Sequence, residues 1–302
     1  SSGSTDANGG LAFFKNPTGL TIDGTNLYVV DSNNHKIRKL DLRGTVTANV
    51  KLHNLDDDTD VTVNLASSDT TEGTVTPATL TFTEDNWDTT QTVTVAGVNE
   101  TDRDRHQAYK ISLSAGDQDL ENPEVTTFAG SGSSGSTNAT GTAARFKYPR
   151  GVTGDGTNLY VTDRDNHAIR KIVISTGAVT TLAGSPGTSG STNATGTSAR
   201  FNSPRGITTD GTNLYVADAN NHMIRKIVIS TGAVTTLAGS TSSGSSNGAG
   251  TSARFNYPRG ITTDGANVYV SDTNNHMIRK IVISTGAVTT FAGSTSYGST
   301  NA

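Results

Sequence analysis

The chain has no cysteine, two methionines, one tryptophan and seven prolines among its 302 residues. Without cysteine it has no thiol nucleophile, no disulfide and no thiolate-bound metal. Charged residues make up 17% and the hydrophobic set 32%. No apolar run approaches the roughly 18 residues that a membrane-spanning helix needs. The opening Ser1-Ser2-Gly3-Ser4 has loop composition and lacks the basic and apolar regions of a secretion signal. What is abundant instead is glycine, with 33 residues, and threonine, with 51. Both weaken helices, and threonine's branched side chain fits a pleated sheet. The composition points to an all-β protein.

A repeat organises the chain. The run Phe201-Asn-Ser-Pro-Arg-Gly-Ile-Thr-Thr-Asp-Gly-Thr-Asn-Leu-Tyr-Val-Ala-Asp218 returns almost unchanged from Phe146 and Phe255, and in degraded form from Phe14. The spacing is 55 residues from Phe146 to Phe201 and 54 from Phe201 to Phe255, but 132 from Phe14 to Phe146. The first repeat therefore carries an insertion. In the third repeat, strands are expected at Gly206–Asp210, Asn213–Asp218, Met223–Ile229 and Ala233–Ala238, with Asp-Gly, Asn-Asn-His and Ser-Thr-Gly turns between them. Glycine supplies the positive φ that such turns need. Four short antiparallel strands per repeat describe a propeller blade.

The run Asp-x-x-Asn-His-x-Ile-Arg-Lys occurs at Asp31–Lys39, Asp163–Lys171, Asp218–Lys226 and Asp272–Lys280. Together with Phe-x-x-Pro before the first strand, it resembles the NHL repeat of β-propellers. The resemblance implies a propeller of four NHL-type four-stranded blades, at about 14–42/124–130, 146–184, 201–239 and 255–293, in a domain of residues 1–42 plus 124–302.

The insertion, residues 43–123, stands where the other blades have a three-residue turn such as Ser175-Thr176-Gly177. Surface hairpin turns tolerate insertions. Period-two alternation at 59–65, 79–83, 91–98 and 108–113 reads as strands with one buried face, and a small all-β unit of this kind suggests a β-sandwich. The stretches Ser68–Thr83, Asn86-Trp87 and Gln91–Val98 resemble Calx-β-like and Ig-like repeats of bacterial surface proteins. The insert follows a strand-three-to-four turn, so it should leave the blade at the end opposite the Asn-Asn-His turns. Charge divides along the same line. Residues 43–124 hold 16 acidic and 5 basic residues, a net −11, leaving 11 and 18, a net +7, elsewhere. Such asymmetry bears on association.

Several residues invite a functional reading. Arg150, Arg205 and Arg259 each follow the first-strand proline, where blade one has Thr18. They read either as a ligand-binding set at the channel mouth, suited to a carboxylate or phosphate, or as within-blade ion pairs with an aspartate such as Asp210. Arg145, Arg200 and Arg254 precede each phenylalanine, and Phe13 replaces them in blade one. The turn histidines His35, His167, His222 and His276 read as caps of their own blades' turns rather than as a metal ring. In the insert, Asp57 and Asp58 lie in one acidic turn, and Asp102 and Asp104 in another. The Calx-β resemblance implies Ca²⁺ there, a hard ion that takes several oxygens, but Arg103, Arg105 and His106 intrude, and solvated turns are the alternative.

No clustered catalytic set breaks the repeat symmetry. The expectation is a non-enzymatic structural, adhesion or protein-interaction module, extracellular or on a bacterial cell surface. Its partner is another protein or a copy of itself, with the acidic insert of one copy meeting the basic propeller of the next. A glycan- or peptide-binding propeller and an NHL-type metal-dependent lyase or hydrolase are the alternatives. Nucleic-acid binding is not expected, because the basic residues recur once per blade instead of clustering and the acidic insert repels phosphate. Nor is membrane insertion. Aligning Phe14 with Phe255 overlays the two ends of the chain on the same interblade loop, so strand exchange does not close the array. A four-bladed ring, part of a longer array, and a unit completed by neighbouring copies all remain open.

Overall fold

A computed structural model describes residues 6–8, 12–23, 26–41, 45–50, 61–65, 73–83, 89–97, 124–296 and 298. The chain begins with β1 (Ala7–Asn8), β2 (Pro17–Ile22), β3 (Asn26–Asp31) and β4 (Lys36–Asp41). The inserted strands follow: β5 (Thr45–Val50), β6 (Val61–Asn64), β7 (Gly73–Thr76), β8 (Thr79–Phe82) and β9 (Gln91–Gly97). The first blade then resumes with β10 (Glu124–Ala129). The second blade is β11 (Pro149–Gly154), β12 (Asn158–Asp163), β13 (Ala168–Val173) and β14 (Val179–Ala183). The third is β15 (Pro204–Thr209), β16 (Asn213–Asp218), β17 (Met223–Val228) and β18 (Val234–Gly239). The last comprises β19 (Gly248–Ala249), β20 (Pro258–Thr263), β21 (Asn267–Asp272), β22 (Met277–Val282) and β23 (Ala287–Gly293).

Each blade is an antiparallel meander, and β4 pairs directly with β10 across the insertion. The observed strands lie within two residues of the expected ones in the third blade. In the insert, the expected strands at 59–65, 79–83 and 91–98 appear as β6, β8 and β9, while 108–113 lies outside the described residues. β5 and β7 were not expected. The inserted strands form two antiparallel sheets, β5-β9-β7 and β6-β8. Short segments before the first strands, β1 and β19, lie along the outer strands β10 and β23, where they cover edges that would otherwise present unpaired backbone groups.

The recurring motif builds a clamp inside each blade. In the second blade, Asp163 accepts from Lys147 N–H at 2.7 Å, from Asn166 Nδ2 at 2.8 Å and from Arg170 Nη1 at 2.8 Å. Arg170 also donates to the Arg145 carbonyl and to Asn138, and its guanidinium lies 5.2 Å from the Phe146 ring centroid. The same Asp–Arg pair, fully buried, recurs as Asp31–Arg38, Asp218–Arg225 and Asp272–Arg279. Burial pushes the Asp163 and Asp218 carboxyls up to about 6, against the pull of their arginines. The clamp ties the strand-two-to-three turn to the loop leading into strand one, so these two connections share one end of the blade.

Blades stack through one repeated apolar interface. The tyrosine, isoleucine and alanine of one blade (Tyr160, Ile169 and Ala183) bury against the next blade's Phe201, Ile207 and Leu214. First strands approach backbone to backbone, and a Cβ on Gly151 would lie 2.5 Å from the Arg205 carbonyl oxygen, so only glycine fits. The turn histidines cross this interface. All four take a left-handed φ of 55–58° at the end of their turns, and in the first three blades Nδ1 accepts an N–H from the next blade: His35 from Tyr148, His167 from Ser203 and His222 from Tyr257, all at 3.1 Å. The expectation that these imidazoles serve their own blades is thereby corrected: the backbone ends its own turn, but the ring joins two blades.

Candidate functional site at the arginine mouth

Thr18, Arg150, Arg205 and Arg259 occupy one position in four successive first strands, and the packing of each first strand on the next brings them together. With Gly151, Gly206 and Gly260 they line one cavity of about 290 Å³. None of the three arginines forms an ion pair among the described residues. The expected within-blade pairing with Asp210 does not occur, because Asp210 accepts from Tyr215 Oη at 2.7 Å and from Asn213 Nδ2 and N–H. Arg205 instead donates to Tyr257 Oη at 2.8 Å, and the guanidinium groups of Arg205 and Arg259 lie 5.0 and 4.9 Å from the Tyr257 ring centroid. In blade one, the Thr18 hydroxyl donates to the Arg150 carbonyl at 2.8 Å, so that position fastens the neighbouring blade and adds no charge.

Burial comes first in depressing the Arg150 guanidinium below the usual arginine range, followed by its cationic neighbours Arg164, Arg205 and Arg259, with Asp165 opposing. It remains a cation at neutral pH. The mouth is therefore a partly buried concentration of positive charge in which Tyr257 stacks against two of the three forks, those of Arg205 and Arg259. Guanidinium forks match the two oxygens of a carboxylate or phosphate.

The rim is where the repeats differ. The residue before the first-strand proline is Asn16, Tyr148, Ser203 or Tyr257, and all four adopt positive φ between 49° and 59°. Arg164 and Asp165 pair with each other beside Tyr148, where the third blade has Ala219 and Asn220. Sequence comparison of the blades could have found Tyr148, Tyr257 and Arg164 as departures from an otherwise uniform repeat.

The other predicted residues go elsewhere. Arg200 and Arg254 donate to carbonyls of the tight turns just before them, Thr197 and Ala199 in one case and Thr251 and Ala253 in the other. Asp57, Asp58, Asp102 and Asp104, the proposed Ca²⁺ ligands, lie outside the described residues. Among the described residues, no three histidine or acidic side chains gather where a metal could bind.

No protein-family model matches the chain. It is 30% identical over 313 residues to NHL repeat-containing protein 2 of Gallus gallus, covering 94% of this chain and 41% of that protein. It is 29% identical over 309 residues to NHL repeat-containing protein 2 of Bos taurus, covering 92% and 40%. The chain carries an NHL-repeat fold. It spans about two fifths of the length of these curated relatives. Among solved structures, an auxiliary nutrient binding protein of Bacteroides thetaiotaomicron aligns with a TM-score of 0.43 at 15% identity, covering 93% of this chain and 58% of that one.

Proposed function

We propose that this NHL-repeat chain is a non-enzymatic protein-interaction module that takes a carboxylate-rich protein segment at its arginine mouth. The observation that carries the reading is the convergence of Arg150, Arg205 and Arg259 on one cavity without carboxylate partners among the described residues. A partly desolvated site strengthens each ion pair relative to open water, and stacking on Tyr257 fixes the forks of Arg205 and Arg259 in advance. The net −11 of residues 43–124 supplies one acidic surface of the right sign, so a second copy's insert is one such partner. In each hairpin-built blade the strand-three-to-four turn lies at the end opposite the rim, which suits head-to-tail contact. An extracellular setting rests on composition: no cysteine, and abundant serine, threonine, glycine and asparagine.

The test is calorimetric titration of a glutamate-rich peptide into the protein. Binding that weakens with salt, and about tenfold further in Arg205→Ala, supports the reading. Equal affinity for wild type and Arg205→Ala rejects the mouth as the site.

A further inference from the structure

The two outer faces of the blade array are the two halves of the interface that joins its inner blades. The first strands pack in series, β2 on β11, β11 on β15 and β15 on β20, but among the described residues no comparable packing joins β20 back to β2. The large exposed hydrophobic residues fall on these two outer faces. On blade one, Leu20 is 69% exposed, where its equivalents Val152 and Ile207 are each 6% exposed. Ile22 beside it is 57% exposed. On the last blade, Phe291 is 62% and Ile278 is 40% exposed, whereas Ile37, Ile169 and Ile224, at the latter's position, are fully buried.

The geometry of the last blade is more specific than an apolar patch. In the inner interfaces, a phenylalanine of the following blade enters a socket at a positive-φ glycine. A Cβ on Gly184 would lie 3.0 Å from the Phe201 ring, and one on Gly239 would lie 2.9 Å from the Phe255 ring. Gly293 has the same backbone form, with φ of 85°, but the atoms around it belong to its own blade. There it lines, with Met277, Ile278 and Ala292, a cavity of about 280 Å³. Blade one carries the matching piece, because Phe14 aligns with Phe146, Phe201 and Phe255 yet is only half-buried where they are fully buried.

We infer that a second copy of this chain docks blade one onto the last blade, placing its Phe14 in the Gly293 socket and its Leu20 and Ile22 against Ile278 and Phe291. The occupant follows from complementarity already realised three times, at each interface between successive blades, where Gly130, Gly184 and Gly239 receive Phe146, Phe201 and Phe255. A head-to-tail contact of this kind uses two different surfaces, so it generates either a closed ring or a chain of copies. It does not depend on the arginine mouth, and its driving force is apolar burial, which sulfate strengthens and which simple charge screening does not remove.

Sedimentation velocity of the 302-residue chain, with Leu20→Asp and Phe291→Asp, tests it. Leu20 is exposed in the single chain, so Leu20→Asp should melt as the monomeric wild type does. Phe291→Asp also loses the edge contact with the Tyr269 ring and should melt slightly lower while staying folded at the temperature of the run. Wild type should associate with rising concentration, more strongly in sulfate. Each variant alone should be monomeric. Mixed in equal amounts, they should form a one-to-one dimer and nothing larger, because each retains the face the other has lost. A wild type that stays monomeric at high concentration, variants that still associate alone, or a mixture that does not pair would overturn the inference. Association abolished by salt and by Arg205→Ala, but not by Leu20→Asp, would overturn it in favour of contact at the mouth.

Discussion

Arginine appears in two settings in this molecule, and they behave as opposites. In the blade interior, Arg38, Arg170, Arg225 and Arg279 are fully buried and paired with an aspartate that is just as buried. At the mouth, Arg150, Arg205 and Arg259 are open to solvent to differing degrees, and none forms an ion pair among the described residues. The buried Asp–Arg pair of the clamp recurs in all four blades, with Asp6 replacing the asparagine partner of Arg38 in blade one, whereas the rim changes from blade to blade. The clamp must satisfy every charge internally, because an unpaired buried ion costs several kcal/mol. The mouth is only partly buried, so it tolerates unpaired charge and remains available to a partner.

This contrast can be broken most forcefully at the clamp. Arg225→Ala leaves Asp218 buried without its counter-ion and should lower unfolding stability by about 3–5 kcal/mol, read by urea denaturation. Removing both charges, with Asp218→Asn and Arg225→Met together, should recover much of that loss. Recovery of nothing would mean that the backbone bonds of Arg225, rather than its charge, hold the blade.

At the mouth the order reverses. Arg205→Ala should leave the urea midpoint nearly unchanged while weakening glutamate-peptide binding about tenfold, which corresponds to ~1.4 kcal/mol. A large stability loss there would erase the distinction between the two settings.

The interblade histidines offer a smaller effect. Burial lowers the basicity of His35, His167 and His222 from the ordinary value of 6.5. Their Nδ1 atoms must stay unprotonated to accept the N–H of the next blade. The unfolded chain thus binds these protons more readily, so stability is fully present above pH 6.5 and falls as the pH drops below it. Between pH 5 and 7 the Asp163 and Asp218 carboxyls, raised to about 6, titrate with the opposite sign. The histidine contribution is therefore read as the difference between thermal melts of wild type and His222→Gln: the variant should lose less stability, or gain more, as the pH falls. Identical pH dependence in wild type and His222→Gln would assign the effect to other groups.

The smallest change is expected from Arg164→Ala. It removes a partly exposed ion pair with Asp165 and should shift stability by no more than about 1 kcal/mol.

Much of the fold was legible from the sequence because it is local. Asp-Gly and Ser-Thr-Gly turns set the hairpins, and with the repeat they placed the strands of the third blade within two residues. The insertion point was legible because the repeat resumes at Glu124 in the same register. β5 and β7 escaped, since each pairs with β9 across many residues, Thr45 with Ala96 and Gly73 with Gly97, and no turn signal announces such long-range pairing. The arginine trio was visible as a repeat, but its pairing was misread, because Asp210 has nearer donors in Tyr215 and Asn213. The histidines were misread because their partners are in another blade.

The sequence by itself determined the repeat, the strand order within each blade, the Asp–Arg motif and the separation of charge between propeller and insert. These follow from patterns within some fifty residues. Only the tertiary structure decided that three arginines share a cavity, that histidines join blades, and that equivalent apolar residues are buried in the middle of the array but bare at its ends. A repeat gives Leu20 and Val152 the same local instructions. Whether either is covered depends on the neighbouring blade, and burial is a property of the contact between blades.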